Sequence, residues 1–173
     1  MANGDYKIIP SVYLILERDG KVLMSRRFNT GWMDGHYGLG AAGHGEPDET
    51  FKEGIIREAL EEAGIELAAD SIEHVLTMHR HCGDHQRADF FFTASDFRGE
   101  PTIAEPHLCD DMQWFDMNQL PENTIPQIRH ALECYQNGIR YTEFNWPEQR
   151  NSGRVRHDRS EAKETTGIEP VTC

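Results

Sequence analysis

The segment from Gly43 to Ile65 constrains this chain more than any other: Gly-His-Gly-Glu-Pro-Asp-Glu-Thr-Phe-Lys-Glu-Gly-Ile-Ile-Arg-Glu-Ala-Leu-Glu-Glu-Ala-Gly-Ile. It reads as a loop feeding one helix. Thr50 suits the N-cap, and Glu53 three residues later completes a capping box. Gly64 supplies a left-handed stop. Phe51, Ile55, Ile56, Ala59, Leu60 and Ala63 recur at helical spacing and predict an apolar stripe over roughly half the circumference. Glu58, Glu61 and Glu62, spaced i, i+3 and i+4, share one arc at the margin of that stripe. Like charges this close oppose the helix by about a few tenths of a kcal/mol per pair. Only Lys52 and Arg57 are basic within it. A solvated, glutamate-rich surface helix is one reading of the pattern. The other is a hard divalent cation held by the cluster, since magnesium and manganese take oxygen ligands.

The spacing resembles the Nudix box. Gly43, Glu49, Arg57, Glu58, Glu61, Glu62 and Gly64 fill its fixed positions, and Ala59 and Ile65 its two apolar ones. The resemblance implies an α/β/α sandwich of the Nudix type with a mixed β-sheet. It also implies a metal-dependent pyrophosphohydrolase acting on a nucleoside diphosphate linked to another group. On the family pattern the catalytic set is Glu58, Glu61, Glu62 and Arg57, with Mg2+ as cofactor and Mn2+ as a substitute. Glu58 and Glu62 lead as metal ligands, with Glu61 beside them. Ala42, just before the box glycine, stands where a backbone carbonyl often joins them. Arg57 orients the glutamates through a salt bridge, with Glu49 as a partner. Glu46 matches a further acidic position, and Asp48 stands where glycine is common. Ala41-Ala42-Gly43 replaces the more usual Pro-Gly-Gly approach.

Ahead of the box, Ile8 to Arg18 reads as a strand, Asp19-Gly20 as a hairpin turn and Lys21 to Arg27 as the returning strand. Arg26 and Arg27 end that strand. Guanidinium donors suit phosphate oxygens, and MutT-like members of the family carry a similar pair, with Arg27 in the place of the phosphate ligand. Residues 28–42 form a Gly-rich connection in which Trp32 and Tyr37 are candidates to line a base pocket.

Beyond the helix, Ser71 to Met78 reads as a strand and His79 to His85 as a polar hairpin loop. Three histidines and a cysteine in this loop do not have the spacing of a structural zinc pair. Arg87 to Ala94 returns as a strand in which Phe90, Phe91 and Phe92 supply core or pocket bulk. Gly99 to Asp111 is an acidic loop. By analogy with family members, Glu105, Asp110 or Asp111 supplies a late metal ligand or base. Met112-Gln113-Trp114-Phe115 resembles the strand that follows such a loop, and Pro126 to Tyr135 reads as the closing helix.

The net charge of −13 argues against a nucleic-acid polymer as partner, because backbone binding needs a basic face. A phosphorylated small molecule remains compatible with it if metal ions bridge the two. Cys82, Cys109, Cys134 and Cys173 show no paired spacing and read as reduced thiols in a cytoplasmic protein. No apolar run reaches membrane-spanning length. The expected organisation is one Nudix domain over residues 1–146, then a flexible tail over 147–173, where apolar residues are sparse. Nucleoside triphosphates, nucleotide sugars and dinucleotides all fit as substrates. A catalytically silent nucleotide-derivative sensor or an interaction module is the alternative, although such proteins often lose box glutamates that this chain keeps.

Overall fold

The computed structural model describes residues 7–147. The expected tail therefore lies, except for Pro147, outside the described residues. The strands are β1 (Ile8–Ile15), β2 (Glu17–Arg18), β3 (Lys21–Arg27), β4 (Tyr37–Leu39), β5 (Ala42–His44), β6 (Glu66–Leu67), β7 (Ile72–His81), β8 (Gln86–Ala94), β9 (Phe97–Arg98), β10 (Cys109–Asp116) and β11 (Tyr141–Phe144). The helices are α1 (Phe51–Ala63) and α2 (Pro126–Gln136), with a single 3-10 turn at Ala69–Ser71.

The main sheet is mixed, in the order β11-β7-β8-β1-β5. β1 runs parallel to β8 and antiparallel to β5, while β7 and β8 form an antiparallel hairpin. Strands alternate faces with period two, and β1 uses both. Val12 and Leu14 enter one core with Ile55, Ala59 and Phe92, and Ile15 enters another with Phe91, Ile128 and Leu132. Helix α1 thus covers one side of the sheet and α2 the other, which is the expected α/β/α sandwich. A separate antiparallel sheet, β10-β3-β2 with β4 against β3, packs into both cores through Met24 and Leu23.

Local chemistry explains several boundaries. Asp19 and Gly20 both take positive φ, 53° and 74°, as a tight two-residue hairpin requires. The Thr50–Glu53 capping box forms, and Gly64 closes α1 at φ 66°. The apolar stripe of α1 is narrower than expected. Ile55, Ala59 and Ala63 are fully buried, but Leu60 is 54% exposed because Glu58 takes an inward place instead.

The hairpin after α1 also differs. β7 continues through His81, so His79, Arg80 and His81 belong to a strand, and only residues 82–85 turn. Buried Arg80 is accommodated there by Asp89 across the ladder. His79 pairs with Gln86 and His85 with Asp84. Cys109 and Cys134 are free thiols. Cys82 is disulfide-bonded, against the expectation of a reduced thiol there, and Cys173 lies outside the described residues. Strand β11, pairing parallel to β7, was not anticipated.

Candidate active site

The site is assembled where α1 meets β5. At Gly43 a Cβ would lie 1.9 Å from Glu58 Oε1, so only glycine lets the strand pass this close to the carboxylate. One residue earlier, the Ala42 N–H donates to Glu62 Oε2 at 2.8 Å. The backbone before the helix and the glutamates within it are thereby locked together. Asp48 adopts φ 69°, which explains why glycine suits that position and why the short polar Asp is tolerated.

Arg57 is the hub of this arrangement. It grips Glu49 with two bonds, Nε to Oε2 at 3.1 Å and Nη2 to Oε1 at 2.8 Å. Its Nη1 donates to Glu58 at 2.7 Å and Glu61 at 3.0 Å, and Nη2 reaches the His44 carbonyl at 3.3 Å. The Glu46 N–H also donates to Glu49, and together Arg57 and this N–H hold the Glu49 carboxyl below its usual range. The Arg57 guanidinium is correspondingly held more firmly protonated.

Glu58 and Glu62 face a cavity of about 700 Å³ that is also lined by Glu46, Ala42, Gly43, Arg26, Arg27, Trp32 and Glu105. Burial raises the Glu58 carboxyl, with Arg57 opposing. Burial likewise pushes Glu62 up to about 8, opposed by the Ala42 N–H and aggravated by Glu58 and Glu105. Glu61, the third member of the predicted cluster, is half exposed and engaged with Arg57. Among the described residues, no three or more His, Cys, Asp or Glu side chains form a ready metal cage. The chemistry of the cavity nevertheless fits a hard cation. Two enclosed carboxylates repel one another there, and all their donor atoms are oxygen.

Arg27 is held in the same cavity. Its Nε donates to the Trp32 carbonyl at 2.9 Å, and its guanidinium lies 5.0 Å from the Trp32 ring centre. The loop that presents Trp32 is tied by Asp34, which accepts bonds from Thr30 and Gly31. Arg26 instead pairs with Asp110 at 2.7 Å and stacks near Tyr37. Tyr37 is buried, and its hydroxyl donates to Asp111. Of the three late acidic residues, Glu105 alone lines the cavity, whereas Asp110 and Asp111 are engaged with Arg26 and Tyr37.

Sequence reasoning did not anticipate the part of the cavity that the main sheet contributes. Ser11 and Tyr13 of β1, His44 of β5, Arg80 of β7 and Arg87 of β8 line the same cavity, with buried Gln127 at the start of α2. Arg87 Nη2 bonds Ser11 Oγ and His44 Nε2, each at 2.7 Å. The only sequence signal was charge at 80 and 87 inside otherwise strand-like segments.

Comparison with known proteins agrees with this geometry. The family described as NUDIX domain matches residues 7–134. The phosphatase NudJ of Escherichia coli is 29% identical over 116 residues, covering 61% of this chain and 74% of that protein. The NAD-capped RNA hydrolase NudC of Pseudomonas entomophila is 29% identical over 117 residues, but this chain covers only 39% of its length. Among solved structures, a MutT NUDIX hydrolase from Burkholderia pseudomallei superposes with a TM-score of 0.67 at 25% identity, covering 73% of this chain and 97% of that one. With the box, its glutamates and the sandwich all in place, the chain belongs to the Nudix hydrolase family and is MutT-like.

Proposed function

We propose that this protein is a metal-dependent pyrophosphohydrolase that cleaves a nucleoside diphosphate linked to another group, a nucleoside triphosphate or related nucleotide derivative. The observation that carries this reading is the joint placement of Glu58 and Glu62 in one cavity with Arg27. Glu58 and Glu62, with the Ala42 carbonyl and Glu61 beside them, would hold Mg2+ or Mn2+. When bound, such an ion supplies charge screening for the diphosphate and an acidified water. Arg57 keeps Glu58 aimed, through the bonds that also tie it to Glu49. Arg27, braced by the Trp32 carbonyl, offers its remaining guanidinium donors to a phosphate oxygen. Either a box glutamate or Glu105, which lines the cavity while Asp110 and Asp111 are engaged with Arg26 and Tyr37, would accept the proton of the attacking water. Among the described residues no helix is long and apolar enough to cross a membrane. A cytoplasmic location is part of the same proposal; the free thiols of Cys109 and Cys134 favour it and the disulfide-bonded Cys82 counts against it.

The test is a panel of nucleoside triphosphates, nucleotide sugars and dinucleotides, assayed with magnesium, with manganese and in excess chelator. Turnover is expected with metal and absent in chelator. Glu62→Gln should lower the rate by roughly two orders of magnitude or more. Its metal-free melting temperature should hold or rise, since the amide is neutral where the carboxylate is disfavoured. Full turnover in chelator would reject the metal. Binding without turnover across the panel would favour a sensor.

A further inference from the structure

The part of the cavity formed by β1, β7 and β8 carries charge that the proposed hydrolysis does not use. Asp89 is fully buried and is held by Arg80, Nε to Oδ2 at 2.7 Å and Nη2 to Oδ1 at 3.3 Å. Arg87 stands farther off, with its Nε 3.8 Å from Asp89 and without a hydrogen-bond partner. A carboxylate already gripped by one guanidinium does not need the second for its own satisfaction. Arg80 is its cross-strand partner, and the two side chains that Arg87 hydrogen-bonds are neutral. Ser11, 1% exposed, accepts a bond from it, and His44 accepts another through Nε2, which requires an unprotonated ring nitrogen. The Tyr13 hydroxyl, which Arg80 approaches at 3.4 Å, lines the same wall.

We propose that Arg87, with the hydroxyls of Ser11 and Tyr13, forms a seat for a second anionic group of the substrate, of the phosphomonoester class, separate from the diphosphate handled by Glu58, Glu62 and Arg27. This rests on the pyrophosphohydrolase reading and narrows its substrate class to nucleotides with a further phosphate. The chemistry favours such a group over a neutral one. A guanidinium whose nearest carboxylate lies 3.8 Å away and is hydrogen-bonded by another arginine is further stabilised by an oxyanion. The Ser11 hydroxyl already accepts from Arg87, so its own proton is available to donate, and the Tyr13 hydroxyl offers a second O–H. Donors arriving from three side chains match a tetrahedral group with several oxygens. Elsewhere the cavity is acidic at Glu46, Glu58, Glu62 and Glu105, and Arg26 is paired with Asp110, so an extra anion has no better place to go than this wall or Arg27.

Two measurements on the full chain test the seat. The first follows arginine Nε–H resonances while inorganic phosphate is added, with the Arg87 signal assigned by its loss in Arg87→Lys. A saturable shift of the Arg87 resonance is expected. An Arg87 signal that stays in place while that of Arg27 moves would confine anion binding to Arg27 and overturn the proposal. The second compares binding of NADH and NADPH, which differ by one phosphate. NADPH should bind about tenfold or more tightly in the wild type, with the ratio falling towards one in Arg87→Gln and lying between in Arg87→Lys. Equal binding of the two by the wild type would also overturn the seat while leaving the hydrolase reading intact. That reading fails separately, if no diphosphate-linked nucleotide is turned over with either metal.

Discussion

A Cβ at position 43 would collide with the Glu58 carboxylate, and the colliding group cannot simply swing aside, because Arg57 Nη1 holds it at 2.7 Å. Gly43→Ala should therefore displace Glu58, cost about 1–3 kcal/mol through overpacking and lower turnover by roughly 100-fold or more. Metal titration of turnover per folded molecule checks this, and an unchanged metal affinity would show that Glu58 is not a ligand. At this scale the sequence was legible where residues lie close along the chain. The box glutamates share a helix, and Arg57 meets Glu49 eight positions away. It was not legible where partners are remote. Arg87 and Ser11 are 76 positions apart and meet only because β8 runs beside β1. Glu105 could not be separated from Asp110 and Asp111, because the path of their loop decides which of them reaches the cavity.

At the scale of elements, period and caps located α1 to the residue, but period alone overstated its buried face. Glu58 is 9% exposed and Leu60 is 54% exposed, the reverse of what polarity suggests. The inward turn of Glu58 is enforced by Gly43 and Arg57, neither of which enters a count of apolar positions. Leu60→Ala should accordingly cost less than about 1 kcal/mol. Ile55→Ala, at a fully buried position in the α1 core, should cost about 2–5 kcal/mol. Urea unfolding of both variants decides the matter, and similar losses would mean that Leu60 is covered in solution. Strand β7 runs longer than its pattern suggests for a related reason. His79, Arg80 and His81 look like loop residues, yet the ladder to β8 continues because Asp89 neutralises the one inward charge.

For the whole molecule, the order of patterns fits the α on β on α that the family resemblance implies, whereas the split into two larger sheets was in neither. The split depends on β3 pairing with β10 rather than β1, a choice between remote strands that local pattern does not make. The place of β1, which precedes β5 and β8 in the chain yet is seated between them, has a consequence for synthesis on the ribosome. Its parallel partner is contributed some 78 positions later, as the pairing of Ile8 with Gln86 shows. Contacts of such separation form late, because the intervening chain must first be closed into a loop. The nascent chain therefore carries its glutamate helix into the cell before the sheet beneath that helix can be completed. Stalled chains of increasing length should show it under brief proteolysis, with those ending at residue 84 cleaved readily throughout β1 and α1, and protection arising only once β8 has cleared the exit tunnel. Protection in the shorter chains would mean that β1, β5 and α1 fold as a unit of their own, with β7 and β8 added to a finished template.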